Sequence, residues 1–565
     1  MEDKIDDAEL NRCVNPSPLE CLRDCPFLAY STFLLSCGGI LIGFDLASLN
    51  GILIIPSFIK AMGADGYTDV HWAAVSSWMT SSFLLGAGIS SSFAAPLADC
   101  IGRKNGINIS LLIIFSGGCI QTGAIAQNMI VIGRLVVGVA VGLLSSIIPL
   151  YLAELSPKSI RGFIVSTFQV MVAIGILLAF VVTLIFNTSG YGGNKNYTQN
   201  YWRYILGLQA VMPIVMIVLG IFIPESPRWL IKIGEGDRAK AVLYKIRRNF
   251  PIGKGSSGDG DWFIITNIDQ EYEMMCKESI TVYNTVPIKW YDFSPLFRQS
   301  NLLRTVNSIM INIFSQMTGF TSIISYSSII FRNMGITADK TTAIIGVLNV
   351  FTTLLSLFFV DRLGRRILLA SGSVIMFSCL LCLGVLVLST DPASNPMSAQ
   401  AVGVLVALFV VSYAFSYGPI QWLYPAEISP VQVRTKGVAF STCIGWLTAF
   451  AINQSVPLMI IPGSAVGGLG GTFLFFSAWT LLATLWVLSH VYETSHLTLE
   501  DIDRVFEVVG LSEYWQFVKT NISYSFYFGE KTMTEYSEKH TQKDEIPLPT
   551  ISEIELNMSI SDPEV

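Results

Sequence analysis

The sequence predicts an all-α membrane protein, with twelve transmembrane helices in two pseudo-symmetric six-helix halves. Three observations predict it. The 565 residues are 52% hydrophobic and only 13% charged, at a mean hydropathy of +0.56, whereas a soluble protein carries about 25% charged residues. Apolar stretches of near 20 residues recur along the chain, each long enough to cross a bilayer as a helix. Finally, short charged motifs return in the same order: Asp99-Cys100-Ile101-Gly102-Arg103-Lys104 as Asp361-Arg362-Leu363-Gly364-Arg365-Arg366, and Tyr151 to Pro157 as Tyr424 to Pro430. Pro224-Glu225-Ser226 returns more weakly as Tyr492-Glu493-Thr494. Two such halves place a substrate site between them near the bilayer midplane.

Taken in order, the spans fall near 28–50, 73–95, 107–126, 129–151, 164–186, 204–223, 304–330, 342–360, 367–389, 400–424, 436–460 and 470–490. An N-terminal tail, 1–27, precedes a first half, 28–223; a linker, 224–303, leads to a second half, 304–493, and a tail, 494–565. The polar residues ahead of the first span argue against a cleaved signal peptide. Within the linker, Asp237 to Asn249 reads as a basic amphipathic helix and Gly253 to Asp261 as a flexible stretch. The C-terminal tail begins with a short helical pattern (Leu499, Ile502, Val505, Phe506) and turns polar, reading as disordered from about 530.

Lys and Arg crowd one set of loops, around Arg103, Lys158, Arg228 to Lys254, Arg362 to Arg366 and Arg434, and are sparse on the other. The positive-inside rule makes the crowded side cytoplasmic and puts both termini there. Two glycosylation sequons, at Asn187 and Asn196, fall in the loop expected outside. Ten cysteines and four histidines give no disulfide framework or metal cluster; Cys379 and Cys382 have the spacing of a ligand pair but lie in an apolar helix without a second pair.

Asp45 lies inside the first span and Arg134 inside the fourth. Charges in a span are costly and mark function by default. Access and partner can switch an acid's protonation, so the pair reads as a proton-coupling site; the plainer alternative is a permanent ion pair that holds helices together. The repeated motifs read as a cytoplasmic gate. Glu154 and Arg161 lie seven apart, as do Glu427 and Arg434, each pair bracketing a Ser-Pro break. With Asp99, Arg103, Glu225, Arg228, Asp361, Arg365 and Glu493 they can form ion-pair networks that lock and release; single anchoring charges explain the repeated spacing poorly. Gln169, Ser315, Gln316, Thr321, Asn349, Trp422 and Trp446 stand out in apolar spans. Amides suit sugar hydroxyls and aromatic faces suit a sugar ring, though helix–helix hydrogen bonding also uses such residues.

Together these residues resemble the sugar porter family of the major facilitator superfamily over roughly residues 28 to 510. The markers are Pro96 to Lys104, Pro224 to Leu230, Gln316-Met317-Thr318-Gly319, Asp361 to Arg366 and Gly418 to Glu427. The resemblance implies the major facilitator fold, alternating access and a monosaccharide or polyol substrate. By position, Asp45 and Arg134 match the symporters' coupling pair, Gln169, Gln316, Asn349 and Trp422 match sugar contacts, and Trp446 matches a cavity aromatic. Three positions depart from the family pattern. Ser315 stands where a glutamine is usual, and Thr321 and Gly445 stand where asparagines are frequent. Lost amides disfavour a glucose-type pocket and favour another hexose, such as fructose, or a polyol. In the closing motif, Tyr492-Glu493-Thr494-Ser495-His496 replaces the usual Pro-Glu-Thr-Lys-Gly.

The sequence thus reads as a plasma-membrane monosaccharide:proton symporter, with sugar, protons and lipid as partners and no cofactor, metal or nucleic acid. A facilitative sugar or polyol uniporter is the nearest alternative, and a non-transporting sugar sensor belongs to another class. No nucleophile–base constellation or phosphate loop suggests an enzyme.

Overall fold

The computed structural model describes residues 18–63, 70–157, 160–188, 201–247, 268–277, 292–390, 395–430, 433–461 and 463–494. Gly253 to Asp261, Asn196 and the C-terminal tail lie outside these residues. Among the described residues all regular structure is helical.

Among the described residues, ten helices are long and apolar enough to cross a membrane. They include Pro26–Ile52, Trp72–Ile101, Gln127–Leu155, Arg161–Asn187 and Tyr201–Gly220 in the first half, and Ala338–Leu363, Arg365–Ser389, Pro396–Ile428, Arg434–Ile460 and Gly468–His490 in the second. Two more complete twelve. The third span, Arg103–Thr122, is less apolar because it opens on Arg103-Lys104-Asn105. The seventh is broken into Gln299–Met317 and Phe320–Asn333 around Gly319, whose φ of +83° interrupts the helix. Its polar residues face inward: Asn307, Asn312, Ser315, Gln316, Thr321 and Ser322 are all buried. Burying polar groups inside the bundle leaves the lipid side apolar, so average hydropathy understates such a helix.

The tenth span is also broken, at Ser416 between Pro396–Phe415 and Tyr417–Ile428. Discontinuous helices inside a transporter place polar backbone and side chains near the midplane. Elsewhere the spans touch backbone to backbone. At Gly138 a Cβ would lie 2.0 Å from the Phe83 carbonyl oxygen, so the second and fourth spans meet one turn from Arg134.

The linker contributes helices Pro227–Lys232 and Gly236–Arg247 and a helical segment at 268–277. Leu243, Ile268 and Met275 form a small separate core there. Arg247 ties it to the bundle, donating to the Leu155 carbonyl at 2.8 Å and pairing with Glu271 at 3.1 Å.

Candidate functional site

Asp45 and Arg134 are fully buried and adjacent. Arg134 Nη1 lies 3.3 Å from Asp45 Oδ1, and Nη2 donates to the Asp45 carbonyl oxygen at 3.3 Å. Gln209 of the sixth span donates to the same Asp45 Oδ1. The guanidinium sits 4.6 Å from the Phe83 ring centre. Asp45 Oδ2, Arg134 Nε and Gln209 Oε1 have no hydrogen-bond partner among the described residues. A buried ion pair needs good geometry and full hydrogen bonding to offset its desolvation. Here one side-chain contact holds the pair and three polar atoms are left over. Gln209 escaped sequence analysis because a neutral amide in a span carries no charge signal.

The seven polar and aromatic residues all fall in the buried interior. Trp422 Nε1 donates to Gln169 Oε1 at 2.9 Å and Trp446 Nε1 to Ser145 Oγ at 3.0 Å, so both indoles reach across from the second half to the first. Their ring centres are 6.2 Å apart. On the second-half side, Thr321 Oγ1 donates to Gln316 Oε1 at 2.6 Å, and Ser315 Oγ meets the Tyr413 hydroxyl at 2.8 Å. Gln421, absent from the sequence-based set, joins this chain. Its Oε1 accepts from Ser315 Oγ at 2.6 Å and from Gln316 Nε2 at 3.5 Å. Asn349 is fully buried with neither amide atom paired among the described residues. An orphaned buried amide is costly unless something else satisfies it.

At the basic end, Arg103 donates to Glu154 through Nε at 3.1 Å and Nη2 at 2.9 Å, and through Nη1 to Asp99 at 3.1 Å. Glu225 accepts from the backbone N–H of Arg103 at 3.0 Å and of Lys104 at 3.1 Å. Burial pushes the Glu225 carboxyl above the usual range, opposed by the N–H groups of Ser226, Lys104 and Arg103. Arg365 donates to Glu427 through Nε at 3.2 Å and Nη2 at 2.8 Å, and to Asp361 at 2.9 Å. Glu493 accepts from the N–H of Arg365 at 2.8 Å and of Arg366 at 3.0 Å. Glu154 and Glu427 therefore serve Arg103 and Arg365 across helices, besides standing seven residues from Arg161 and Arg434. Arg161 and Arg228 line a cleft with Glu154 and Glu271, and Arg434 Nε donates to the Ser429 carbonyl at 3.2 Å.

Asp361 also crosses between halves. Its Oδ2 accepts from the Phe163 N–H at 3.1 Å, in the first turn of the fifth span. A Cβ on Gly162 would lie 2.1 Å from Asp361 Oδ1, so only glycine lets the carboxylate approach. Asp99 instead pairs with Lys232 of the linker at 2.9 Å.

At the opposite end, uncharged groups dominate the contacts between halves. Asn50 Nδ2 donates to Ser327 Oγ at 2.9 Å, and the Ser328 N–H donates to Asn50 Oδ1 at 2.8 Å. Gln454 Nε2 donates to Ser77 Oγ at 3.0 Å. Asn187, in the last turn of the fifth helix, donates to Asp339 at 3.1 Å and accepts from the Tyr201 hydroxyl at 3.2 Å. Both ends are thus bridged, and the central polar residues lie between the bridges.

The pattern of the family described as Sugar (and other) transporter matches residues 31–506. This chain belongs to that family. A probable glucose transporter of Neurospora crassa is 31% identical over 503 residues, covering 86% of this chain and 80% of that protein. An H(+)/hexose cotransporter of Parachlorella kessleri is 30% identical over 490 residues, covering 83% and 84%. Among solved structures, the proton:xylose symporter XylE bound to 6-bromo-6-deoxy-D-glucose aligns with a TM-score of 0.69 at 23% identity, covering 85% of this chain and 99% of that one. The inward-open form of XylE from E. coli aligns less well, at 0.62. The fold is that of the major facilitator superfamily, with twelve spans, and the family makes this chain a membrane-spanning sugar transporter rather than an enzyme.

Proposed function

We propose that this chain imports a monosaccharide across the plasma membrane by alternating access, carrying a proton with the sugar, with both termini cytoplasmic. The observation that carries the reading is the buried Asp45–Arg134–Gln209 cluster. With Asp45 ionised, Arg134 is held against the first span. With Asp45 protonated, the charge attraction is gone and the bond to the guanidinium weakens, so the first span can shift relative to the fourth. A differential of this kind is what lets one ligand bias a two-state element. The relatives named as hexose and proton:xylose carriers support the same reading.

The substrate we propose is a hexose, bound between Gln169, Trp422 and Trp446 on one side and Ser315, Gln316, Thr321 and Asn349 on the other. The indoles cover the ring and the amides take hydroxyls. In this arrangement Gln169 bonds Trp422 and Gln316 bonds Thr321, while Asn349 has no partner among the described residues; sugar would replace those bonds and satisfy Asn349. The ionic network at the basic end and the amide contacts at the other would open in turn.

The test is uptake of labelled fructose, glucose, xylose, glycerol and inositol by transporter-null yeast at acidic pH, with and without a protonophore. Uphill accumulation abolished by the protonophore is expected, with fructose the first hexose to try. Asp45→Asn should still equilibrate sugar but no longer concentrate it. Uptake that only equilibrates in the unmodified protein would make this a facilitator; no uptake with the protein at the surface would favour a sensor.

A further inference from the structure

Three residues of the second half look poor in sugar-binding groups: Ser315 and Thr321 carry one hydroxyl each, and Gly445 carries none. In the folded chain Ser315 and Gly445 each face an amide from another span. Gln421, on the tenth span, extends its Oε1 to within 2.6 Å of Ser315 Oγ. Asn312, on the seventh span, puts its Oδ1 3.0 Å from where a Cβ on Gly445 would stand. Thr321, the third such residue, is bonded to Gln316. Gln421 and Asn312 are both buried, at 6% and 3% exposure. Their helices are the two broken ones: Gln421 lies five residues after the break at Ser416, and Gln316 three before the break at Gly319. Broken helices near the midplane are where transporters place substrate groups.

The bonding of Gln421 is uneven. The bond from Ser315 is short, that from Gln316 Nε2 is 3.5 Å, and its own Nε2 donates to the Gly418 carbonyl at 3.4 Å, with the Tyr413 hydroxyl also facing the amide. A contact of that length contributes little. It is therefore the weakest link in the Tyr413–Ser315–Gln421–Gln316–Thr321 chain, and the place where an inserted group loses least. A hydroxyl there satisfies both sides at once: it accepts from Gln316 Nε2 and donates to Gln421 Oε1.

We infer that Gln421 is a specificity-determining sugar contact, that one sugar hydroxyl bridges Gln316 and Gln421, and that Asn312 supplies a second amide opposite Gly445. This rests on the central site proposed above. The amides missing at Ser315 and Gly445 are in effect carried by the facing helices, so the pocket keeps its polar capacity with a changed direction of approach.

The experiment is equilibrium binding of labelled sugar to the purified full chain in lipid nanodiscs, alongside uptake in cells. Gln421→Ala should weaken binding by about 3- to 10-fold, the worth of one net hydrogen bond. One mono-deoxy analogue of the bound sugar, lacking the bridging hydroxyl, should bind the unmodified protein and Gln421→Ala equally. Ser315→Gln alone should weaken binding by crowding two amides together, and Ser315→Gln/Gln421→Ser should recover to within about 2-fold of the original. Gly445→Asn and Gly445→Asn/Asn312→Ser should follow the same course. Unchanged affinity in Gln421→Ala overturns the inference. So does an equal loss for every deoxy analogue without recovery in the double variant, which would make Gln421 a packing residue. Because binding is read apart from uptake, a chain that binds but does not carry sugar sinks the transport reading while these arms still decide this one; a chain that binds no sugar sinks both.

Discussion

The charge networks at the ends of the two halves can be compared atom by atom. Arg103 grips Glu154 with two nitrogens, and Arg365 grips Glu427 with the equivalent two. The Arg103 guanidinium also donates to the Ala98 carbonyl at 3.1 Å, and that of Arg365 to the Val360 carbonyl at 3.2 Å. Lys104 and Arg366 each reach a carbonyl at 2.6 Å, on Ile221 and Leu488. The match breaks at one residue per half. Asp361 reaches across to the fifth span, whereas Asp99 turns to Lys232. Their exposures are nearly equal, 30% and 28%, so burial does not distinguish them; their partners do. The symmetric parts fasten helices within a half, and the asymmetric part is where the halves hold each other.

The largest effect should come from the symmetric core. Arg103 and Arg365 are 4–5% exposed and their glutamate partners 7–9%. Removing one partner of a buried pair strands the other and costs about 3–5 kcal/mol. Arg103→Ala and Arg365→Ala should therefore both lower thermal stability and surface expression, by similar amounts. A loss confined to one would break the equivalence.

The comparison can also be drawn end to end. Ionic groups dominate the basic end, whereas Asn50 fixes the far end by uncharged bonds to Ser327 and Ser328. Asn50→Ala leaves the Ser328 N–H without its partner, at about 1–3 kcal/mol. It should raise labelling of cysteines introduced near residue 50 from the outside, and leave labelling at the basic end unchanged. Increased labelling at both ends would mean that Asn50 supports the bundle generally.

Asp361→Asn should have a smaller effect than these. It keeps a carbonyl that can accept from Phe163 N–H but loses the negative charge at a helix N-terminus, worth about 0.3–1 kcal/mol, and weakens the pair with Arg365, which Glu427 still holds. More labelling at the basic end is expected. Asp99→Asn likewise weakens one contact of Arg103 and loses a pair with the 43%-exposed Lys232, the latter worth about 0–1 kcal/mol, and should raise that labelling less. Equal responses would show that Asp99 bridges the halves too.

Much of this was legible in the sequence because charge is rare in a span. Asp45 and Arg134 stood out for that reason and do lie together, 89 residues apart in the chain. The repeats located both networks, and apolar length located the spans, including the third and seventh despite their polar content. The partners were harder. Seven-residue spacing pointed Glu154 at Arg161, but the bidentate grip comes from Arg103 on another helix, a tertiary fact that spacing cannot carry. Gln209, Gln421 and Asn312 were missed because an uncharged amide in an apolar helix looks the same whether it faces a ligand, a neighbour or a carboxylate. Ser315 and Gly445 were read one helix at a time; which amides face them, Gln421 and Asn312, is again a tertiary fact.

The last test concerns the weakest repeat. Tyr492-Glu493-Thr494 shares only its acid with Pro224-Glu225-Ser226, followed in each by a hydroxyl residue. The fold uses both features. Thr494 Oγ1 donates to Glu427 at 2.7 Å, and Ser226 Oγ donates to Glu154 at 2.5 Å. Each hydroxyl takes a carboxylate oxygen that the arginine already holds, so the glutamate is bound from two sides. What matters at this position is the oxygen, and the extra methyl of threonine is incidental. Thr494→Ser and Ser226→Thr should therefore each change stability by less than about 0.5 kcal/mol, within the range of substitutions that disturb no special feature. Thr494→Val keeps the shape and removes the donor, and should cost about 1.5–3 kcal/mol, as for a hydrogen bond to a charged group. Thermal unfolding in lipid would read all three. A Val variant as stable as the Ser variant would mean that the second-half network is held by Arg365 alone, and that the two halves differ here in kind.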